Sequence, residues 1–292
     1  MPFLFIGIPL LAVAVLNLYT WRDRKSALWA AMTAALFQIL LSAMDLYRCL
    51  HTGAPVTSTF LGTFTVDLFS AVVLLIIGLI ACVTILVAGS TIKESRFSFG
   101  SAVLLLMMGM NGVVMVSDVF SLYVFIEVTS TSSFLLIAIN KKRDELEGAF
   151  KYYLMSALAT TMMLIAIVLL FALVGDTSFA AVSAYIAARG GNYPAALLIA
   201  FVLFTAALSV KSGVVPFHTW VPDAHSSAPS PVSVMLAGVV IKVSGVYALM
   251  RVYRDVFLSD PALGNVLAIL GLVSIVVGAL CAMGQTDIKR ML

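Results

Sequence analysis

The chain has 292 residues, 62% of them hydrophobic and only 11% charged, with a mean hydropathy of +1.11. A soluble domain sits near half apolar and a quarter charged, so this composition excludes a soluble globular enzyme and calls for a polytopic membrane protein. The small net charge of +3 gives no sign of nucleic-acid binding.

About 20 apolar residues cross the hydrocarbon layer as a helix. That measure predicts an all-α bundle of about nine spans, at 2–20, 27–47, 66–88, 99–117, 118–139, 149–174, 194–224, 229–251 and 262–285. No strand alternation competes, and helices satisfy their own backbone polar groups in lipid. The first apolar run lacks a positive leader and a small-residue cleavage site, and its charges follow it, so it is expected to be a retained helix.

Positive charges orient such a stack. With the N-terminus outside, the inner loops carry Arg22, Arg24, Lys25, Lys93, Arg96, Lys141, Lys142, Arg143, Lys289 and Arg290. The outer loops then carry only Arg48, Arg189, Arg251 and Arg254. The junction at Ser117-Asp118 makes the fourth and fifth spans a tight hairpin.

The seventh span is too long for one perpendicular crossing, at roughly 46 Å for its 31 or so residues. It contains Lys211-Ser212-Gly213 followed by Pro216 and Pro222. Proline removes a backbone donor and crowds the preceding turn, so a break is expected there, with Lys211 beside it. Broken helices at membrane depth are tolerated where they line a cavity.

Three ionisable residues fall inside these apolar runs: Glu127, Lys211 and Lys242. A charge near the bilayer centre costs about 2.5–3.5 kcal/mol on the gentlest insertion scale, so each is expected to face a bundle interior, a partner charge or a water path. Glu127 shares a helix face with Tyr123, Ser130 and Thr131, within a run of five hydroxyl residues from Thr129 to Ser133. A structural interhelical hydrogen bond is the alternative to a proton-handling acid. Lys242 lies nine residues before Arg251, about 13 Å deeper along the axis, beyond comfortable snorkelling reach. Gly238 and Gly245 leave room beside it for close packing or water.

Lys151, with Tyr152 and Tyr153 beside it, reads as an interfacial anchor. His218 and His225 titrate near neutral pH and are candidates to relay protons to the inner surface, with a structural role open for both. Asp67, Asp118 and Asp223 fall at span ends, where capping or solvation is expected. Cys49, Cys82 and Cys281 are far apart, no HExxH or GxGxxG pattern occurs, and no metal or cofactor site is expected.

The stretch KSGVVPFHTWVPDAHSSAPSPVSVMLAGVVIKVSGVYALMR, residues 211–251, resembles the signature of the antiporter-like subunits of respiratory complex I. Mrp sodium/proton antiporters and membrane-bound hydrogenases share that family. The resemblance extends through FIEV around Glu127, FKYYLMSALAT at 150–160 and GQTDIKRML at the end. It implies a fold of about fourteen helices with two inverted five-helix repeats. It places Glu127, Lys211 and Lys242 at the family's fifth-helix glutamate, broken-helix lysine and eighth-helix lysine. The expected division is a three-helix segment at 1–98, one complete repeat at 99–251, and a ninth helix at 252–292. The family continues beyond IKRML, so a split subunit completed by a second polypeptide, or a truncated chain, is expected.

Two embedded amines and an acid fit a proton route: burial costs the Lys211 ammonium its hydration, a nearby Glu127 carboxylate offsets that cost, and displacing the carboxylate sends the proton toward Lys242. The implied function is a proton-translocating subunit of an NADH-quinone oxidoreductase or hydrogenase-type complex, partnered by the bilayer and other membrane subunits, in a prokaryotic cytoplasmic membrane. FIEV leans toward the hydrogenase or Mrp-like branches. The alternatives are a sodium/proton antiporter subunit and a non-conducting scaffold.

Overall fold

The computed structural model describes residues 2–18, 26–58, 63–92, 95–258 and 261–291. Arg22, Arg24, Lys25 and Lys93, counted above among the inner charges, lie outside the described residues.

The helices follow the apolar runs. They are α1 (Leu4–Leu18), α2 (Ser26–Thr52), α3 (Leu68–Thr91), α4 (Arg96–Met115), α5 (Val119–Ile137), α6 (Arg143–Val174), α7 (Phe179–Ala187), α8 (Ala195–Ser212), α9 (Trp220–Ser227), α10 (Ser230–Val256), α11 (Pro261–Met283) and α12 (Ile288–Met291). Among the described residues, eight of these are long and apolar enough to cross a membrane, and α1 is a shorter apolar helix. The chain is an integral membrane protein.

Three features depart from expectation. A two-stranded antiparallel hairpin, β1 (Val56–Ser58) with β2 (Phe64–Val66), lies between α2 and α3, its three-residue strands too short to register as alternation. The polar stretch after Lys142, expected as loop, forms the first turns of α6. Asp144 and Glu145 favour that helix N-terminus, and Glu145 accepts from the N and Nδ2 of Asn140 at 3.1 and 3.0 Å. Helix α7 was not foreseen; Ser178 caps it by accepting from Ala181 N at 3.3 Å.

The connections gather at two ends. At the hairpin end Phe64 bridges Val116, and Asp118 bridges Ser178. Asp67 and Asp118 cap α3 and α5 there, as expected of acids at span ends. At the opposite end Ser95 Oγ donates to Ile139 O at 3.3 Å, and Lys289 Nζ to Ala228 O at 3.1 Å.

Helix α4 is the most enclosed, and small residues let its neighbours close in. A side chain at Gly109 would meet Thr129 Oγ1 of α5 at 2.5 Å, and one at Gly112 would fall on the Phe125 ring. Gln38 of α2 and Asn111 of α4 exchange two amide hydrogen bonds of 2.9 and 2.8 Å. Their remaining donor capacity goes to Leu74 O and Phe5 O, so this buried polar pair is paired on both sides and fixes four helices in register. Helix α11 differs: none of its most apolar window is buried against the rest of the chain.

Candidate functional site

The break in the seventh span forms immediately after Lys211. Helix α8 ends at Ser212, and Gly213, with φ +66°, caps it in the left-handed conformation that glycine adopts without steric cost. Val214 N donates back to Ser209 O at 3.0 Å, and Trp220 Nε1 to Val210 O at 2.9 Å, so carbonyls freed by the break find partners. Gly213 caps the stop, and Pro216, which lacks the N–H that would bond Ser212 O, keeps the helix from continuing. Pro222 sits in the first turn of α9, where a missing N–H costs nothing.

Lys211 is 2% exposed. Its Nζ donates to Ser130 Oγ of α5 at 2.7 Å and to Ser156 Oγ of α6 at 2.6 Å. Ser130 in turn donates to Ile126 O at 2.8 Å. Glu127 is half-buried one turn before Ser130 on α5. Among the described residues no ion pair within 4.0 Å joins it to Lys211; the ammonium is held by two neutral hydroxyls. Ser130 stood out in the sequence through its spacing from Glu127. Ser156 did not, because nothing local in YYLMSALAT distinguishes one serine on a long apolar helix from another.

From its sequence context Lys242 is expected to face a bundle interior, a partner charge or a water path. It is exposed within this chain rather than enclosed, and it lines a cavity of about 810 Å³ between α8, α9, α10 and α11. Ser212, His218, His225, Gln285 and Lys289 share that lining, so both candidate histidines and the break open onto the same space as Lys242. His218 Nδ1 is buried without a hydrogen-bond partner among the described residues, a position that a cavity water would satisfy. Around Lys242, α10 runs in wide π-type turns at Leu236–Val240 and Lys242–Tyr247, a local unwinding that often marks functional positions. Of the two glycines flagged beside it, Gly245 serves packing: a Cβ there would lie 2.5 Å from Ser212 Cα. Gly238 faces Ile80 of α3 instead.

Lys151 is no lone anchor. Its Nζ meets Glu147 at 2.9 Å and Asp223 at 2.8 Å, while Arg290 reaches Asp223 at 3.2 Å. These groups line a second hollow of about 480 Å³, which shares Gln285 and Arg290 with the first.

Arg251 stands among the outer-loop charges counted above. It is a helical residue of α10, 7% exposed, in contact with Asp67, Asp255, Ser70, Thr65 and Tyr247 at the hairpin end.

A helical membrane bundle with a broken seventh span and a buried lysine at the break defines an antiporter-like membrane subunit. The family described as "NADH:quinone oxidoreductase/Mrp antiporter, TM" matches residues 116–292, and the chain belongs to it. Among relatives, an NADH-quinone oxidoreductase subunit N from Jannaschia sp. (strain CCS1) is 31% identical over 283 residues, covering 94% of this chain and 56% of that one. An NAD(P)H-quinone oxidoreductase chain 4 1 from Picosynechococcus sp. is 33% identical over 302 residues, covering 98% of this chain and 55% of that one. The chain therefore spans about half the length of the curated relatives it matches. In fold it is similar to a chain of the Mrp complex from Dietzia sp. DQ12-45-1b, with a TM-score of 0.88 at 24% identity over 99% of this chain and 55% of that one. A chain of respiratory complex I from Thermus thermophilus gives 0.81 at 25% identity, covering 98% of this chain and 60% of that one.

Proposed function

We propose that this chain is a proton-translocating membrane subunit, or half of one, of a redox-driven complex of the NADH-quinone oxidoreductase or membrane-bound hydrogenase type. The observation that carries the proposal is the Lys211 ammonium, buried beside a helix break and held by Ser130 and Ser156 hydroxyls. A hydroxyl accepts from an ammonium and, turned over, donates to a neutral amine, so the same two serines serve both protonation states. A direct carboxylate contact would favour only the charged one.

Glu127 then acts as the adjustable element. Its charge offsets part of the cost of burying the Lys211 ammonium, and moving or neutralising it weakens the hold on the proton. The released proton passes to Lys242 through water in the cavity, with His218 and His225 as relay groups toward the cavity end. The conformational trigger comes from partner subunits; the chain moves protons and leaves redox chemistry to others. Further membrane subunits, including a chain that supplies the second repeat to follow the first at 99–251, fit the exposed α11 and the open cavity.

The N-terminus is placed outside a prokaryotic cytoplasmic membrane, with Lys141, Lys142 and Arg143 inside. Labelling of a cysteine at position 142 from the outer face of sealed cells would reverse that orientation.

The test is proton uptake by vesicles containing the native complex, normalised to subunit content. Glu127→Gln and Lys211→Met are each expected to lower uptake at least about tenfold, the loss that a 1.4 kcal/mol change in one proton-transfer step produces. Uptake unchanged in both identifies a scaffold. A second reading, a sodium/proton antiporter subunit, is favoured by the likeness in fold to the Dietzia Mrp complex; uptake that requires a sodium gradient and no electron donor would select it.

A further inference from the structure

The polar cluster at the hairpin end of α10 takes no part in the route from Lys211 to Lys242, yet it contains a guanidinium that is only 7% exposed. Arg251 Nη1 donates to Tyr247 Oη at 3.0 Å, Ser70 Oγ at 3.1 Å and Asp67 Oδ2 at 3.4 Å. Its Nη2 donates to Thr65 Oγ1 at 3.3 Å, and its Nε faces Asp255. The half-exposed Arg254 adds contacts to Asp67 at 3.1 Å and Asp255 at 2.6 Å. Two arginines and two aspartates leave the cluster neutral.

A chain of hydroxyls runs through it. Tyr247 Oη lies 3.0 Å from Ser70 Oγ, and Ser70 Oγ donates to Asp67 Oδ1 at 2.6 Å. Tyr247 and Ser70 are buried, whereas the Asp67 side chain is 30% exposed. Such a sequence, from the interior of the bundle to a surface carboxylate, is the form a proton wire takes. Two features interrupt it. Tyr247 donates its proton to Val114 O at 2.9 Å, and a carbonyl cannot pass a proton on. Arg251 then donates into both hydroxyls, occupying a lone pair on each that an arriving proton could use, and a guanidinium does not hand a proton on.

We propose that Arg251 is the barrier that stops protons escaping through the hairpin end of this repeat, so that the Lys211 and Lys242 groups exchange protons only through the cavity end. The proposal rests on the reading of those lysines as proton carriers. Positive charges fixed in a narrow path exclude protons in the same way in other membrane pores.

The measurement is passive. Vesicles containing the native complex receive a pH step without electron donor, the membrane potential is clamped, and a lumenal dye follows the decay; it needs no pumping, so its outcome is separate from that of the uptake assay. The double variant Arg251→Gln with Asp255→Asn removes the guanidinium and its partner charge together, and is expected to speed the decay at least about tenfold. Arg251→Lys keeps a positive charge but one that can release a proton, and is expected to leak at a rate between wild type and the double variant. Asp67→Asn retains a capping oxygen for α3 and is expected to stay tight and to pump normally. The barrier is overturned by a double variant, present at wild-type level, that holds the pH step as long as wild type. Loss of pumping in Asp67→Asn would make the hydroxyl chain an exit instead, a result open to reading even where the double variant does not assemble.

Discussion

Lys211 and Ser156, 55 residues apart, meet at 2.6 Å in the interior of the bundle. With Ser130 at 2.7 Å, the serine gives a buried ammonium two neutral acceptors and, among the described residues, no contacting carboxylate. Hydrogen bonds to a charged donor contribute about 1.5–3 kcal/mol each, and the donor left short of an acceptor bears the loss. Ser156→Ala is expected to destabilise the charged form of the site by about that much and to lower proton uptake. Serine restored as threonine is expected to recover part of it. Uptake and thermal stability in detergent both equal to wild type would remove Ser156 from the site.

Lys242 faces the cavity and is the proposed onward carrier. Lys242→Met keeps much of the apolar stem and removes the amine, so assembly is expected to survive better than pumping. Lys242→Arg is also expected to pump poorly, because arginine does not release its proton. Wild-type uptake in both variants would leave Lys242 with a structural role only.

Close approach of α8 and α10 depends on Gly245. A Cβ there would lie 2.5 Å from both Ser212 N and Ser212 Cα, backbone atoms that cannot turn aside. Gly245→Ala is expected to cost about 1–3 kcal/mol through overpacking. Gly271→Ala on α11 meets nothing within 4 Å and is expected to be neutral or to favour the helix by up to about 1 kcal/mol. Thermal denaturation of the two variants side by side checks the contrast; equal melting would deny the contact.

Asp67 supplies a pH dependence outside the membrane-spanning helices. Burial opposes its ionisation, but hydrogen bonds from Ser70 and the Arg251 charge outweigh that and hold the carboxyl below its ordinary range. A depressed value in the fold means that the ionised form is stabilised there. The contribution is in place above the unfolded pKa, near 4, and is lost as the pH falls through the lower folded value. Thermal stability is therefore expected to fall on acidification below about pH 4, with a smaller acid-side slope in Asp67→Asn. An identical slope in the variant would assign the acid loss to other carboxylates.

The amino-acid sequence alone determined the membrane class, the course of the apolar helices, the capping roles of Asp67 and Asp118, and a break in the seventh span beside Lys211. These are properties of composition, hydropathy period and local stereochemistry, and each is written within one turn or one span. Even there only part of the break was legible: the prolines stood out, while the left-handed cap at Gly213, with φ of +66°, shows only in the structure. The candidates Glu127, Lys211 and Lys242 were legible because a charge in an apolar run is costly wherever it points. Which atoms they meet was not legible. Ser156 reaches Lys211 because α6 packs against α8, Lys242 opens to a cavity because α11 stands away from α10, and Arg251 turns inward to Asp67 across 184 residues of chain. Such contacts depend on the rotation and depth of whole helices relative to one another. Many side chains far apart in sequence set those quantities together, so only the tertiary structure decided them.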